Sequence, residues 1–103
     1  MKQLLATALA VSALTLPHFA LANEKLAQAS GCMTCHGIDK KIIGPAYKEV
    51  ADKYRGNQAA EAELIKKVKG GGQGVWGSTP MPPNAHVKDE DIKTLVVWIL
   101  GMK

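Results

Sequence analysis

Cys32-Met33-Thr34-Cys35-His36 is the stretch on which the reading of this chain turns. Two thiols three residues apart can add to the two vinyl groups along one edge of a haem while the next side chain reaches the iron, so C-x-x-C-H carries a mechanism as well as a pattern. A redox dithiol would expect a βαβ neighbourhood, and a structural zinc site would expect four spaced ligands. The chain beyond its N-terminal leader offers two cysteines and the histidines His36 and His86. One haem c per chain is therefore expected, held by thioethers at Cys32 and Cys35, with His36 as an iron ligand. Both thiols would be consumed, leaving neither a disulfide nor a free cysteine.

A sixth ligand has to approach from the opposite porphyrin face, which excludes Met33 between the two anchoring cysteines. Met102 is penultimate, on a terminus expected to fray, and its side chain reads as surface or packing. Met81 lies in Thr79-Pro80-Met81-Pro82-Pro83-Asn84, where prolines fix φ and resist helix and sheet ladders. That rigidity, and the separation from His36, favour Met81 as the second axial ligand over the ordinary role of a methionine as core filler. Two filled axial positions leave no open site, which argues for electron transfer over oxygen or substrate chemistry. A thioether also favours ferrous iron and raises the potential. The competing functional classes are an enzyme or gas sensor that opens its sixth position, and a thiol or zinc module without haem.

Upstream, Met1-Lys2-Gln3 is followed by an apolar run from Leu4 to Leu16, then Pro17 and Ala20-Leu21-Ala22. This is the layout of a secretory signal, with small residues at the third and first positions before a cut between Ala22 and Asn23. Thirteen residues of helix rise only about 20 Å against roughly 30 Å of hydrocarbon, so no stable membrane insertion is expected. The domain division is thus a cleaved signal peptide at 1–22 and one domain at 23–103, located in the periplasm. That domain contains no phenylalanine, since Phe19 leaves with the leader, and carries 12 basic and 9 acidic residues for a formal charge of +3. A core this small is marginal alone. The excess charge is mild and forms no dense basic stripe or known motif, so nucleic acid is not an expected partner.

The mature segment reads as short helices joined by Gly- and Pro-rich loops, without alternating strand patterns, hence all-α. A first helix begins with Asn23 as N-cap and ends at Ser30-Gly31. A second follows Gly44 with Pro45 in its first turn and runs to Tyr54. A third follows Asn57, sets Leu64, Ile65 and Val68 on one face, and stops at Gly70-Gly71-Gly72. The last opens near Asp89-Glu90-Asp91, acids suited to its positive end, and places Ile92, Leu95, Val96 and Ile99 at i, i+3, i+4 and i+7. First and last helices are expected to pack together, with Leu26 near Leu95 and Ile99, and Trp98 in the core. A porphyrin burying several hundred Å² would add on the order of 10 kcal/mol at about 25 cal/mol/Å², so the apo-chain is expected to be largely unfolded.

With these pieces assembled, the chain resembles the small bacterial class I cytochromes c, specifically the cytochrome c-551 (c8) group. The resemblance covers residues 23–103 and rests on Cys32 to His36, Gly44-Pro45-Ala46-Tyr47-Lys48, Ala60-Glu61-Ala62-Glu63-Leu64, Gln73-Gly74-Val75-Trp76-Gly77 and Pro80-Met81-Pro82-Pro83-Asn84. It implies the class I fold, four to five short helices wrapped around one covalently bound haem. It implies that the Pro45 carbonyl accepts the second ring N–H of His36, that the Trp76 indole reaches a haem propionate, and that Asn84 bonds near the Met81 sulfur. Lys67 stands where relatives often carry arginine beside a propionate, and a lysine ammonium there offers a point charge in place of a bidentate fork.

The functional expectation is a periplasmic monohaem one-electron carrier, not an enzyme, cycling between Fe(II) and Fe(III) through a partly exposed haem edge near the thioethers. By resemblance, its partners are redox proteins: a membrane cytochrome complex as donor, and a nitrite reductase, as in denitrification, or a respiratory oxidase as acceptor. A monomer is expected. His86 reads as a solvated loop histidine, and Lys40, Lys41, Lys66, Lys67 and Lys69 as surface lysines.

Overall fold

The computed structural model describes residues 18–103; the leader's apolar run from Leu4 to Leu16, and Pro17, lie outside the described residues. Four α-helices carry the architecture: α1 (His18–Ala29), α2 (Tyr47–Tyr54), α3 (Ala60–Gly70) and α4 (Asp89–Leu100). A single 3₁₀ turn at Cys32–Thr34 follows α1, and a short antiparallel pair, β1 (Gly72–Gly74) and β2 (Gly77–Met81), separates α3 from α4. α4 is the hub, packing against α1, α2 and α3.

The helix ends follow local chemistry. Asn57 opens the turn into α3: its Oδ1 accepts the Ala59 N–H at 3.0 Å and its carbonyl accepts Ala60 N–H at 3.2 Å. α4 starts at Asp89 with Lys88 in the cap position and no side-chain cap bond. Three acids in its first turn, Asp89, Glu90 and Asp91, supply the complementary charge instead. Lys69 ties this start to α3, donating to Val87 O at 2.9 Å and pairing with Asp89 at 2.8 Å.

Two buried clusters form the core. Val50, Tyr54 and Ala60 make one; Val87, Ile92 and Val96 make the other; Leu64 and Leu100 pack against both. Among the described residues, few large side chains are sealed almost completely from solvent, Ile92 and Val96 above all, followed by Leu95 and Tyr47. That thin aliphatic core agrees with a fold completed by a large apolar guest.

Several expectations from the sequence need correction. The Gly- and Pro-containing stretch 72–81 does form a ladder: Gly72 pairs with Met81 and Gly74 with Gly77, with an irregularity between. Pro80 is tolerated because a two-stranded ribbon has a free edge on which a missing N–H costs nothing. Pro45 precedes the α2 cap, Ala46, rather than lying in the first turn. Asn23 is not an N-cap, because α1 is already under way from His18 and no glycine or proline interrupts it before Ala29. The expected cut between Ala22 and Asn23 thus falls within α1. In that helix the sealed residue is Ala27, while Leu26 is half-buried; Trp98 is likewise half-buried. The C-terminus is tied down, since Met102 O accepts Arg55 Nη2–H at 3.1 Å and Met102 N–H reaches Ile99 O at 3.1 Å.

Candidate haem site

The site is built where the Cys32–Tyr47 stretch, the inner faces of α2, α3 and α4, and the β1–β2 ribbon converge on one cavity of about 210 Å³. Cys32, Cys35 and His36 line it together with Met81, Trp76, Pro45 and Lys67. The remaining wall is largely aliphatic, with Val50, Leu64, Val68, Leu95, Val96 and Ile99 facing inward. Seven of the eight residues singled out from the sequence therefore border one space.

The His36 loop is closed on itself by its backbone. His36 N–H reaches Cys32 O at 3.1 Å, while Ile43 and Gly44 both donate to Cys35 O, at 3.1 and 2.8 Å. Tyr47 N–H then reaches Gly37 O at 2.8 Å, setting the first residue of α2 against the same loop. The His36 Nδ1–H donates to the Pro45 carbonyl at 2.7 Å. A histidine so bonded keeps its proton on Nδ1 and presents the Nε2 lone pair, the arrangement a metal-ligating imidazole requires. Gly44 allows the approach, because a Cβ there would lie 2.6 Å from His36 Cε1 and 3.0 Å from Nδ1.

Met81, half-buried, is held from both sides of its chain position. Gly71, at φ +76°, closes α3 with its N–H on Lys67 O at 2.7 Å, and a Cβ on it would meet Met81 O at 2.7 Å. Beyond the ligand candidate, Asn84 anchors the loop to α3: its backbone N–H and its side-chain Nδ2 both donate to Val68 O, at 3.1 and 3.0 Å. Nδ2 also reaches Pro82 O at 3.3 Å. The Asn84 amide hydrogens thus go to backbone carbonyls, not to the Met81 sulfur, and Asn84 is the one singled-out residue outside the cavity lining.

Trp76 occupies the tip of the β1–β2 turn, 41 % exposed, with the Lys53 ammonium 5.4 Å from its ring centroid. Lys67 stands at the cavity wall with Glu63 at 3.8 Å, one turn earlier on α3. His86 is exposed, 3.3 Å from Ser30 O. Tyr47, which the sequence names only as part of the Gly44–Lys48 segment with no role of its own, is buried and stacked on His36, with centroids 5.2 Å apart and planes at 20°. Its place two residues after Pro45, in a segment already singled out, was the available signal. Burial raises the Cys32 thiol above its ordinary range, partly opposed by the Tyr47 hydroxyl. Burial likewise raises the Tyr47 phenol, with the adjacent Cys32 adding to the effect.

A haem fits this donor set on structural grounds. Both cysteines are free thiols beside the cavity, His36 offers a nitrogen whose other ring position is already bonded, and the interior is apolar. Among the described residues, no group of three or more His, Cys, Asp or Glu side chains is placed to hold a bare metal ion, so the zinc reading has no site.

The chain matches the family model for cytochrome c over residues 21–103. It is 56 % identical over 94 residues to the cytochrome c-551 of Allochromatium vinosum, covering 91 % of this chain and all of that one. It is 54 % identical to the cytochrome c-551 of Pseudomonas aeruginosa, covering 78 % and 76 % of the two chains. Its structure superposes on the crystal structure of Nitrosomonas europaea cytochrome c552 with a TM-score of 0.75 at 46 % identity, over 78 % of this chain and 99 % of that one.

Proposed function

From the premise that the chain belongs to the cytochrome c family, with its class I fold, its covalently held haem c and its role in electron transport rather than catalysis, we propose a periplasmic carrier exchanging single electrons between respiratory redox proteins. The observation that carries this reading is the convergence of Cys32, Cys35, His36 and Met81 on one apolar cavity, with His36 Nδ1 already committed to Pro45 O. When bound, haem supplies a reversible Fe(II)/Fe(III) couple.

The chain's own residues set the terms of that couple. Cys32 and Cys35 anchor the group through thioethers, and His36 ligates through Nε2. The carbonyl of Pro45 holds the imidazole proton and raises the basicity of the ligating nitrogen. Met81 would supply the second ligand from across the cavity, which would leave neither oxygen nor a substrate a free place to bind, and its thioether would favour the reduced state. Asn84 keeps the Met81 loop on α3. Trp76 and Lys67, at the cavity margin, would hold the propionates, Lys67 as a single point charge rather than a fork. Ile42 and Ile43, 54 % and 55 % exposed beside the Cys35 loop, offer an apolar surface to a docking partner. The donor is a membrane cytochrome complex and the acceptor a nitrite reductase or an oxidase. Residues 1–22 direct export and are then removed, and the mature protein acts as a monomer. Among the described residues no helix is long and apolar enough to cross a membrane.

Intact mass spectrometry of the protein recovered from a periplasmic fraction tests the processing: the mass should equal residues 23–103 plus one haem. Stopped-flow mixing of the ferrous protein with a nitrite reductase, and separately with a terminal oxidase, tests the carrier role. Oxidation by neither would remove these acceptors from the account.

A further inference from the structure

The Nδ1–H bond to Pro45 fixes one point on the edge of the His36 ring, but a hydrogen bond tolerates a broad range of approach and leaves the plane of the imidazole loosely set. The plane is fixed by something else. Tyr47 lies over the imidazole at 5.2 Å between centroids and 20° between planes, an offset-stacked arrangement. Tyr47 is itself immobilised from three directions. Its side chain is 4 % exposed, its backbone N–H is bonded to Gly37 O at 2.8 Å as α2 begins, and Trp98 of α4 meets its ring edge-on at 5.7 Å and 72°. The chain Trp98–Tyr47–His36 thus connects the hub helix to the candidate iron ligand through rings alone.

We propose that Tyr47 is a positioning residue for His36, its ring setting the plane of the imidazole as the Pro45 carbonyl sets its edge. The inference rests on His36 being the iron ligand. It adds that the orientation of that ligand is imposed from α4 through Trp98 and Tyr47, not by the Cys32–His36 loop alone. The phenol oxygen has no part in it, so the aromatic ring of phenylalanine suffices.

The test compares wild type, Tyr47→Phe and Tyr47→Leu as haem-loaded proteins by NMR. In the ferrous state the His36 ring protons and Nδ1–H are followed; in the ferric state, the hyperfine-shifted His36 resonances; and the midpoint potential is measured for each. Tyr47→Leu should displace the His36 resonances and the potential. It should also speed exchange of the Nδ1–H about two- to tenfold, which is an aromatic pair of about 0.5–1.5 kcal/mol at 1.4 kcal/mol per decade. Tyr47→Phe should restore all three. If Tyr47→Leu lowers thermal stability yet leaves the His36 resonances in place, Tyr47 only packs and the proposal is wrong. If Tyr47→Phe moves them as far as Tyr47→Leu, the hydroxyl is responsible and the proposal is equally wrong. Should Tyr47→Leu not accumulate as holoprotein, Trp98→Leu takes its place and should move the same resonances in the same direction by less; no movement overturns the proposal. Wild type is read first, and an absence of ligand-shifted His36 protons there would remove the ligand assignment itself, an outcome separate from any effect of the variants.

Discussion

Replacing Gly44 by alanine adds one methyl group at the point where the chain passes closest to His36. The new Cβ would stand 2.6 Å from Cε1, 3.0 Å from Nδ1 and 3.2 Å from Nε2. Carbon atoms rest at about 3.5–4.0 Å, so roughly 1 Å of separation has to be found. The ring cannot yield freely, because its Nδ1–H is bonded to Pro45 O at 2.7 Å, one residue from the substitution, and Tyr47 covers a face. Overpacking of this kind costs about 1–3 kcal/mol, and weakening the bond to Pro45 about 1 kcal/mol more. Chain entropy acts in the other direction. Gly44 is not among the glycines with positive φ, so alanine would be stabilising by about 0.4–1 kcal/mol if contacts were ignored. The sign of the effect therefore decides between the two. A net loss of about 1–3 kcal/mol in a domain of this size lowers Tm by roughly 4–24 °C. Thermal unfolding of the haem-loaded Gly44→Ala protein, followed by far-ultraviolet circular dichroism, measures it. An unchanged or raised Tm with an unaltered His36 Nδ1–H resonance would refute the close approach.

Tyr47→Phe carries a pH dependence whose sign follows from burial. The folded phenol is raised above its ordinary value, so its contribution to stability is intact below about pH 10 and is lost as pH climbs from there toward the folded value. Wild type should lose stability in denaturant titrations above about pH 10 more steeply than Tyr47→Phe, and parallel curves would show that the phenol does not titrate on unfolding. Met81→His should remain six-coordinate and low-spin while losing on the order of a few tenths of a volt in potential by voltammetry. Met102→Ala should leave spectrum and potential unchanged, and a low-spin to high-spin change there would transfer the ligand role. Partner oxidation rates should vary only modestly with ionic strength, because +3 on residues 23–103 is offset by two propionates to about +1 in the reduced protein. A steep salt dependence abolished by Lys66→Glu with Lys67→Glu would show the lysines steering docking.

The site was more legible in the sequence than the ribbon that completes it, and the reasons are physical. Cys32, Cys35 and His36 are covalent chemistry at a fixed spacing, which no tertiary context alters. The helices α3 and α4 announced themselves through Leu64, Ile65 and Val68 and through Ile92, Leu95 and Val96, side chains that repeat at helical period. β1 left no such trace: Gly72-Gln73-Gly74 has almost no side chains with which to alternate, and Pro80 within β2 argues against a ladder except at an edge. The local clue was the pair of glycines bracketing Val75-Trp76: Gly74 and Gly77 both take positive φ and let the chain reverse. The start of α1 differs from expectation because Asn23 is a good capping residue, yet it is flanked by strong helix formers, Ala20-Leu21-Ala22 before it and Glu24-Lys25-Leu26-Ala27 after it, which carry the helix through.

Other features depend on distances that sequence alone does not contain. The Tyr47 stack, the Lys53 ammonium over Trp76 and the Arg55 hold on Met102 O each join separate segments of the fold. Asn84 shows how a partner escapes the sequence: its amide faces Val68 O and Pro82 O, contacts that tie the segment after Met81 to α3. Trp98 is expected in the core, but it is half-buried and packs against Tyr47 in an edge-on arrangement. Hydrophobicity predicts that such a residue is covered; only the fold shows by what.

The account stands on a closed iron held between His36 and Met81, and the near-infrared absorption spectrum of the ferric protein tests that most directly. It should show the weak methionine-to-iron charge-transfer band in wild type, abolished in Met81→Ala, which should in turn bind carbon monoxide readily once reduced. Wild-type protein that lacks the band, and that takes up carbon monoxide as avidly as Met81→Ala does, would contradict the account.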